Sequence, residues 1–247
     1  MTYRIFSHIN DKHYMNQLIK YIVTHTGRPY ELVSTIKMKL NNKISDGDIF
    51  DIIKNVKIPD NKVFEYSEDN KIQKLKEFID GGISNKKILD IGTESIDYLK
   101  KIDAYGINIK EGFDHYTTEY DTFDNYKKFK FYDGINIPFK DNKFDIITIY
   151  SVLHHIPTLQ KLIINIKRVL KKDGFIFIKE NDITNDKIRD AFNIQHEIYE
   201  GAILTGKPSY RNDKFTLKTL LKEFDMKVHK LEYLKNFANV YYLTLCF

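Results

Sequence analysis

Between Lys86 and Asp182 the apolar residues alternate between two rhythms. Short, nearly continuous apolar runs rich in Ile, Phe and Tyr read as buried strands. Runs with apolar residues three and four apart read as amphipathic helices. The first rhythm predicts strands over about Lys87–Ile91, Ala104–Ile109, Phe129–Tyr132, Phe144–Tyr150 and Phe175–Lys179. The second predicts a helix after Gly92 and a longer one with Leu159, Leu162, Ile163, Ile166, Val169 and Leu170 on one stripe, stopped by Gly174. Strand, glycine turn and helix, repeated, build a parallel sheet whose ligands sit at the carboxyl ends of the strands. Further on, Phe215-Thr216 opens another helix, with Thr216 as cap and Phe215 stapled onto Leu220. Two strands follow, about Lys227–Leu234 and Val240–Phe247.

The first 80 residues carry a different pattern. Met15, Leu18, Ile19 and Ile22 recur at helical spacing, and the stretch from Thr26 to Pro29 breaks that helix. Further helices are predicted over about Glu31–Leu40 and Asp46–Val56. Pro59 and the polar run Asp60–Asn70 read as a linker. A last helix holds Ile72, Leu75, Phe78 and Ile79 and ends at Gly81-Gly82. The pattern thus divides the chain into a helical extension and linker, residues 1–82, and an α/β domain, residues 83–247. The extension offers a surface for a protein partner or a second copy.

Composition narrows the classes. The single cysteine, Cys246, excludes a disulfide framework and a cysteine-rich metal site. The amino terminus lacks an apolar signal core, and no apolar run approaches membrane length, so a cytoplasmic protein is expected, in a host cytoplasm if the source is viral. The net charge of +5 is carried mainly by lysine spread along the chain, which fits a solvated surface better than a nucleic-acid groove. No ligand cluster calls for a metal.

Chemistry concentrates at the predicted strand ends. Asp90 and Gly92 close the first strand, and Thr93 or Ser95 can cap the helix behind it. Taken alone, this pair equally shapes an ordinary strand-to-helix turn. Asp133-Gly134 follows the third strand and has its own plain reading as an Asp-Gly turn. Ser151, His154 and His155 follow the fourth. Adjacent histidines point different ways, so they are not a helical metal pair. Lys179, Glu180, Asn181 and Asp182 leave the fifth strand, and His196, Glu197, Tyr199 and Glu200 come later. A histidine and carboxylates here can line a pocket, or belong to a solvated loop and helix.

In order, KKILDIGTESIDYLKKI, AYGINI, FYDGINIPFKDNKFDIITIYSVLHHI and DGFIFIKEND resemble the class I S-adenosylmethionine (SAM) dependent methyltransferases, in the type 11 branch. The resemblance covers about residues 85–247, and its most specific piece is Pro138–Ile156. It implies a Rossmann-like α/β fold with a seven-stranded sheet, antiparallel at one end, and amino-terminal helices covering the acceptor side. It also implies a SAM site. Asp90 would take the ammonium of the amino-acid tail, with Gly92 and Thr93 in the loop. Asn108 stands where the family usually has an acid for the ribose hydroxyls, with Glu111 as a substitute. Asp133 and Gly134 would meet the adenine, and Ser151 the cofactor through its backbone.

The expected reaction is transfer of the SAM methyl to an oxygen or nitrogen of a small molecule or RNA, with His154, Glu180 and His196 as the catalytic set. Lys179 resembles one member of the Lys-Asp-Lys-Glu set of cap-ribose enzymes, but Tyr150-Ser151 lacks its aspartate. The degenerate loop Gly92-Thr93-Glu94-Ser95 and Asn108 motivate the alternative, a non-catalytic scaffold that kept the fold.

Overall fold

The structure is a computed structural model, and it describes residues 68–109, 123, 125–186, 188–189, 192–193, 196, 212–234 and 239–247. The helices expected before residue 57 lie outside the described residues. The chain forms two compact units: Ser67–Asp182 with Tyr210–Phe247, and Met1–Tyr66 with Ile183–Ser209. In the second unit, the described part opens where Asn185 Oδ1 accepts from the Ile188 N–H and Asp186 pairs with Arg189 at 2.7 Å.

The first unit holds the sheet. Its elements are α1 (Glu68–Phe78), β1 (Ile88–Ile91), α2 (Ile96–Lys101), β2 (Tyr105–Ile109), β3 (Phe129–Tyr132), β4 (Phe144–Tyr150), a 3-10 turn (Leu153–His155), α3 (Leu159–Val169), β5 (Leu170–Asn181), α4 (Leu217–Phe224), β6 (Lys227–Leu234) and β7 (Val240–Cys246). The seven strands lie in the order β3-β2-β1-β4-β5-β7-β6. Five run parallel, and β7 runs antiparallel to both β5 and β6. The order reverses between β1 and β4, so a crevice opens at their carboxyl ends.

Each face of the sheet is covered by helices. Ile88, Ile146 and Phe177 pack with Leu75 and Phe78 of α1 and with Tyr98 and Leu99 of α2. Side chains alternate along a strand, so Leu89, Ile147 and Ile176, all buried, face the other way. The apolar stripes of α3 (Leu162, Ile163, Ile166, Val169) and α4 (Leu220, Phe224) are buried too. Capping matches the sequence: Ser95 accepts from the Tyr98 N–H at 3.2 Å, and Thr216 from the Thr219 N–H at 3.1 Å.

Two expectations need correction. Gly174 does not stop the long helix, which already ends at Val169, and Leu170 begins a strand. Gly174 lies inside β5, where an added Cβ would come within 2.9 Å of the Asp145 carbonyl oxygen. The glycine therefore admits close backbone approach beside a register shift between Phe144 and Ile146. The second concerns the polar run ending at Asn70. Its last three residues start α1, where Glu68 and Asp69 sit at the positive end of the helix dipole and pair with Lys101 of α2. α1 is bound to the sheet, since Thr244 donates to the Phe78 carbonyl and Tyr150 to the Lys71 carbonyl.

Candidate active site at the carboxyl ends of the strands

Near the end of β1 stands Asp90, buried at 4% exposure. Its register partner on β4 is Thr148, whose Oγ1 donates to Asp90 Oδ1 at 2.6 Å. Burial pushes the Asp90 carboxyl up to about 6, against the opposing pull of Thr148 and the Lys71 charge. Gly92 follows with φ +76°, and its N–H donates to the Ile107 carbonyl at 2.9 Å. A Cβ there would stand 2.3 Å from Val152 Cγ2. The glycine is thus required twice, for the left-handed turn and for contact between the β1 loop and the β4 exit.

Thr93 is buried and holds the turn by donating to the Asp90 carbonyl. Asn108, at the end of β2, is engaged with the same loop. Its Nδ2 donates to the Thr93 carbonyl at 2.9 Å, and its Oδ1 accepts from the Ile109 N–H at 2.7 Å. An aspartate has no donor for the first of these bonds, which gives a local reason for an amide at this position. Glu111 lies outside the described residues.

The turn after β3 is self-contained. Asp133 Oδ1 accepts from the Ile135 and Asn136 N–H groups at 2.8 and 2.6 Å, and these bonds hold its exposed carboxyl below the usual range. Gly134 has φ +80°, and a Cβ there would touch Ile109 at 3.1 Å. The side chain of Asp133 shapes this turn, and the Gly134 backbone lies against the end of β2.

Beyond β4 the chain bends sharply at Ser151, φ +54°, an unusual conformation for a residue with a Cβ. The bend is tied to β5: the Ser151 N–H donates to the Lys179 carbonyl at 2.8 Å, and Lys179 Nζ donates to Ser151 Oγ. Sequence reading placed both residues at this edge without pairing them.

Two of the residues expected to be catalytic are bonded to each other. His154 and Glu180 are both fully buried, with His154 Nδ1 2.6 Å from Glu180 Oε1. Glu180 also accepts from the Asn181 N–H through Oε1 and from the Leu153 N–H through Oε2. Burial pushes its carboxyl up to about 7. The pair therefore clamps the turn after β4 onto β5. His196 belongs to the other unit, where its Nδ1 bonds to the Phe192 carbonyl at 2.9 Å. Tyr199 and Glu200 lie outside the described residues.

A polar cluster on the Asp90 face went unread in the sequence. Tyr98 of α2 and Tyr150 of β4 meet edge to face at 5.8 Å, with hydroxyls 3.2 Å apart. Lys71 of α1 sits beside both rings. One signal was present: Lys71 lies four residues before Leu75 and seven before Phe78, on the buried stripe of α1 rather than its solvated side.

Comparison with known proteins agrees with this geometry. Residues 89–178 match the model of a family described as a methyltransferase domain. Over 57 residues the chain is 35% identical to an uncharacterized methyltransferase, YcgJ, of Bacillus subtilis (strain 168), a match spanning 23% of this chain and 22% of that protein. A SAM-dependent methyltransferase from Mesorhizobium loti has a similar crystal structure, with a TM-score of 0.53 at 10% identity, covering 72% of this chain and 99% of that one. The PH0226 protein from Pyrococcus horikoshii OT3 gives a TM-score of 0.52 at 14% identity, covering 74% and 92%. At such identities the likeness is one of fold. Among the described residues no helix is long and apolar enough to cross a membrane. Residues 89–178 are thus similar to the methyltransferase domain family, and the seven-stranded sheet shares the fold of these solved methyltransferase structures.

Proposed function

We propose that this chain is a SAM-dependent methyltransferase acting on an oxygen or nitrogen of a small molecule or RNA. One observation carries the reading: a buried acid and a left-handed glycine end β1 where the strand order reverses, in contact with the exit of β4. That crevice is where an open α/β sheet takes its ligand. The family match favours an enzyme over a scaffold.

The residues fit the cofactor unevenly. Asp90 offers a carboxylate to the ammonium of the amino-acid tail, and Gly92 lets the backbone come close to it. The Gly134 backbone would meet the adenine edge, while Asp133 keeps its own turn in shape. Asn108 supports the ribose region by fixing the Thr93 carbonyl. Bound SAM supplies an electrophilic methyl group on a sulfonium.

His154 and Glu180 act in this reading as positioning residues. They fix the bend at Ser151 and Val152, against which donor and acceptor align. Alignment and exclusion of water account for much of the rate in such a site. Calorimetric titration of the purified chain with SAM and with S-adenosylhomocysteine tests the reading. Binding of both is expected; no heat and no thermal shift at millimolar ligand would end it.

A further inference from the structure

Lys71 stands in unusual company for a helix lysine. Its side chain is only 17% exposed. The ammonium lies 5.3 Å from the Tyr150 ring centre and 5.9 Å from that of Tyr98. Glu94 Oε2 is 3.9 Å away, and the Lys71 charge acts on the carboxyl of Asp90. Two aromatic rings and the Glu94 carboxylate around one point form a cation box, since ring faces and carboxylates both attract a desolvated positive charge. Tyr150 strengthens the arrangement from below by donating to the Lys71 backbone carbonyl at 3.3 Å.

The box borders the position assigned above to the ammonium of the cofactor. Lysine has a long flexible stem and a compact charge, so its head group can leave while its helix stays in place. We propose that Lys71 is a built-in substitute for the ligand's ammonium: it occupies the box of Tyr98, Tyr150 and Glu94, and a ligand bearing its own ammonium displaces it. The idea rests on the cofactor reading and extends it to how the site is neutralised before the ligand binds. It assigns α1, which precedes the matched family span, a direct part in cofactor affinity.

The test compares two nucleosides on the full chain. S-adenosylhomocysteine carries the ammonium, whereas 5′-methylthioadenosine keeps the nucleoside and lacks the amino acid. Lys71→Met should bind S-adenosylhomocysteine about tenfold more tightly than the wild type, the scale of one desolvated cation–π contact. Affinity for 5′-methylthioadenosine should not change, and Lys71→Arg should resemble the wild type. Should Lys71→Met fail to fold, the unaltered protein still answers. Acetylation of Lys71, followed by mass spectrometry, should rise when S-adenosylhomocysteine saturates the site, because the displaced amine becomes accessible. Equal or weaker binding by Lys71→Met, or protection of Lys71 by the ligand, overturns the inference and leaves the cofactor reading standing. Failure of both nucleosides to bind every form of the protein removes the cofactor reading and the inference together.

Discussion

Asp90 and Glu180 close β1 and β5 at the same edge of one sheet, on opposite faces. Burial raises both carboxyls, to about 6 and about 7. Their surroundings nevertheless differ. Glu180 is engaged by His154 and by the backbone of Leu153 and Asn181. Asp90 takes a bond from Thr148 and feels the charge of Lys71, a lysine on a flexible stem. A shifted carboxyl therefore does not by itself mark a ligand site. The partners decide, and here they separate a brace from a binding group.

Removing the brace should have the largest effect. Glu180→Ala leaves a buried histidine and two backbone N–H groups without their acceptor, at a cost of about 3–5 kcal/mol. Urea unfolding measures it. A loss below about 1 kcal/mol would show that solvent replaces the carboxylate and that the clamp is loose.

Asp90→Asn should behave in the opposite way. The amide oxygen still accepts from Thr148, so stability near neutral pH should hold. Affinity for S-adenosylhomocysteine should fall by about tenfold through loss of a charge-assisted contact. Unchanged affinity in calorimetry would make Asp90 a second brace. The pH dependence sharpens the contrast. Each carboxyl binds its proton more tightly in the folded state, starting from ordinary values of 3.8 and 4.5. The stability they contribute is complete below those values and is lost as the pH rises through about 6 and about 7. The urea midpoint should therefore decline from about pH 5 to about pH 8, and either Asp90→Asn or Glu180→Gln should flatten the decline. A midpoint that climbs over this range contradicts the assignment.

Asn108→Asp should show the smallest change. Losing the donor to the Thr93 carbonyl costs about 1 kcal/mol of stability. Tighter binding of SAM by this variant would mean that position 108 reaches the ribose and that its bond to the loop is dispensable.

The frame of the molecule was legible because strand burial is written locally. Phe129–Tyr132 and Phe144–Tyr150 have the bounds their apolar runs predict. Gly174 misled because a glycine after a helix and a glycine inside a strand look alike until the neighbouring strand is placed. The start of α1 was hidden because Glu68 and Asp69 are polar, and Lys101, their partner, is remote in sequence. The site was legible as positions but not as partnerships. Asp90, Gly92 and Ser151 could be set at strand ends from the pattern. That Asn108 serves the Gly92 loop, and that Lys71 stands between two tyrosines, depends on contacts across the sheet that no local pattern records.

The place of β7 bears on how the molecule is made. Val240–Cys246 follows β6 in sequence, yet it lies between β5 and β6 and pairs with both. While the chain emerges from the ribosome, β1 to β5 can assemble, but β5 then presents an open edge and β6 has nowhere to dock. Such an edge invites pairing with other chains. The nascent protein thus passes through a stage at which its parallel frame is largely present and its sheet is still adhesive. Deletion of β7 would hold it there.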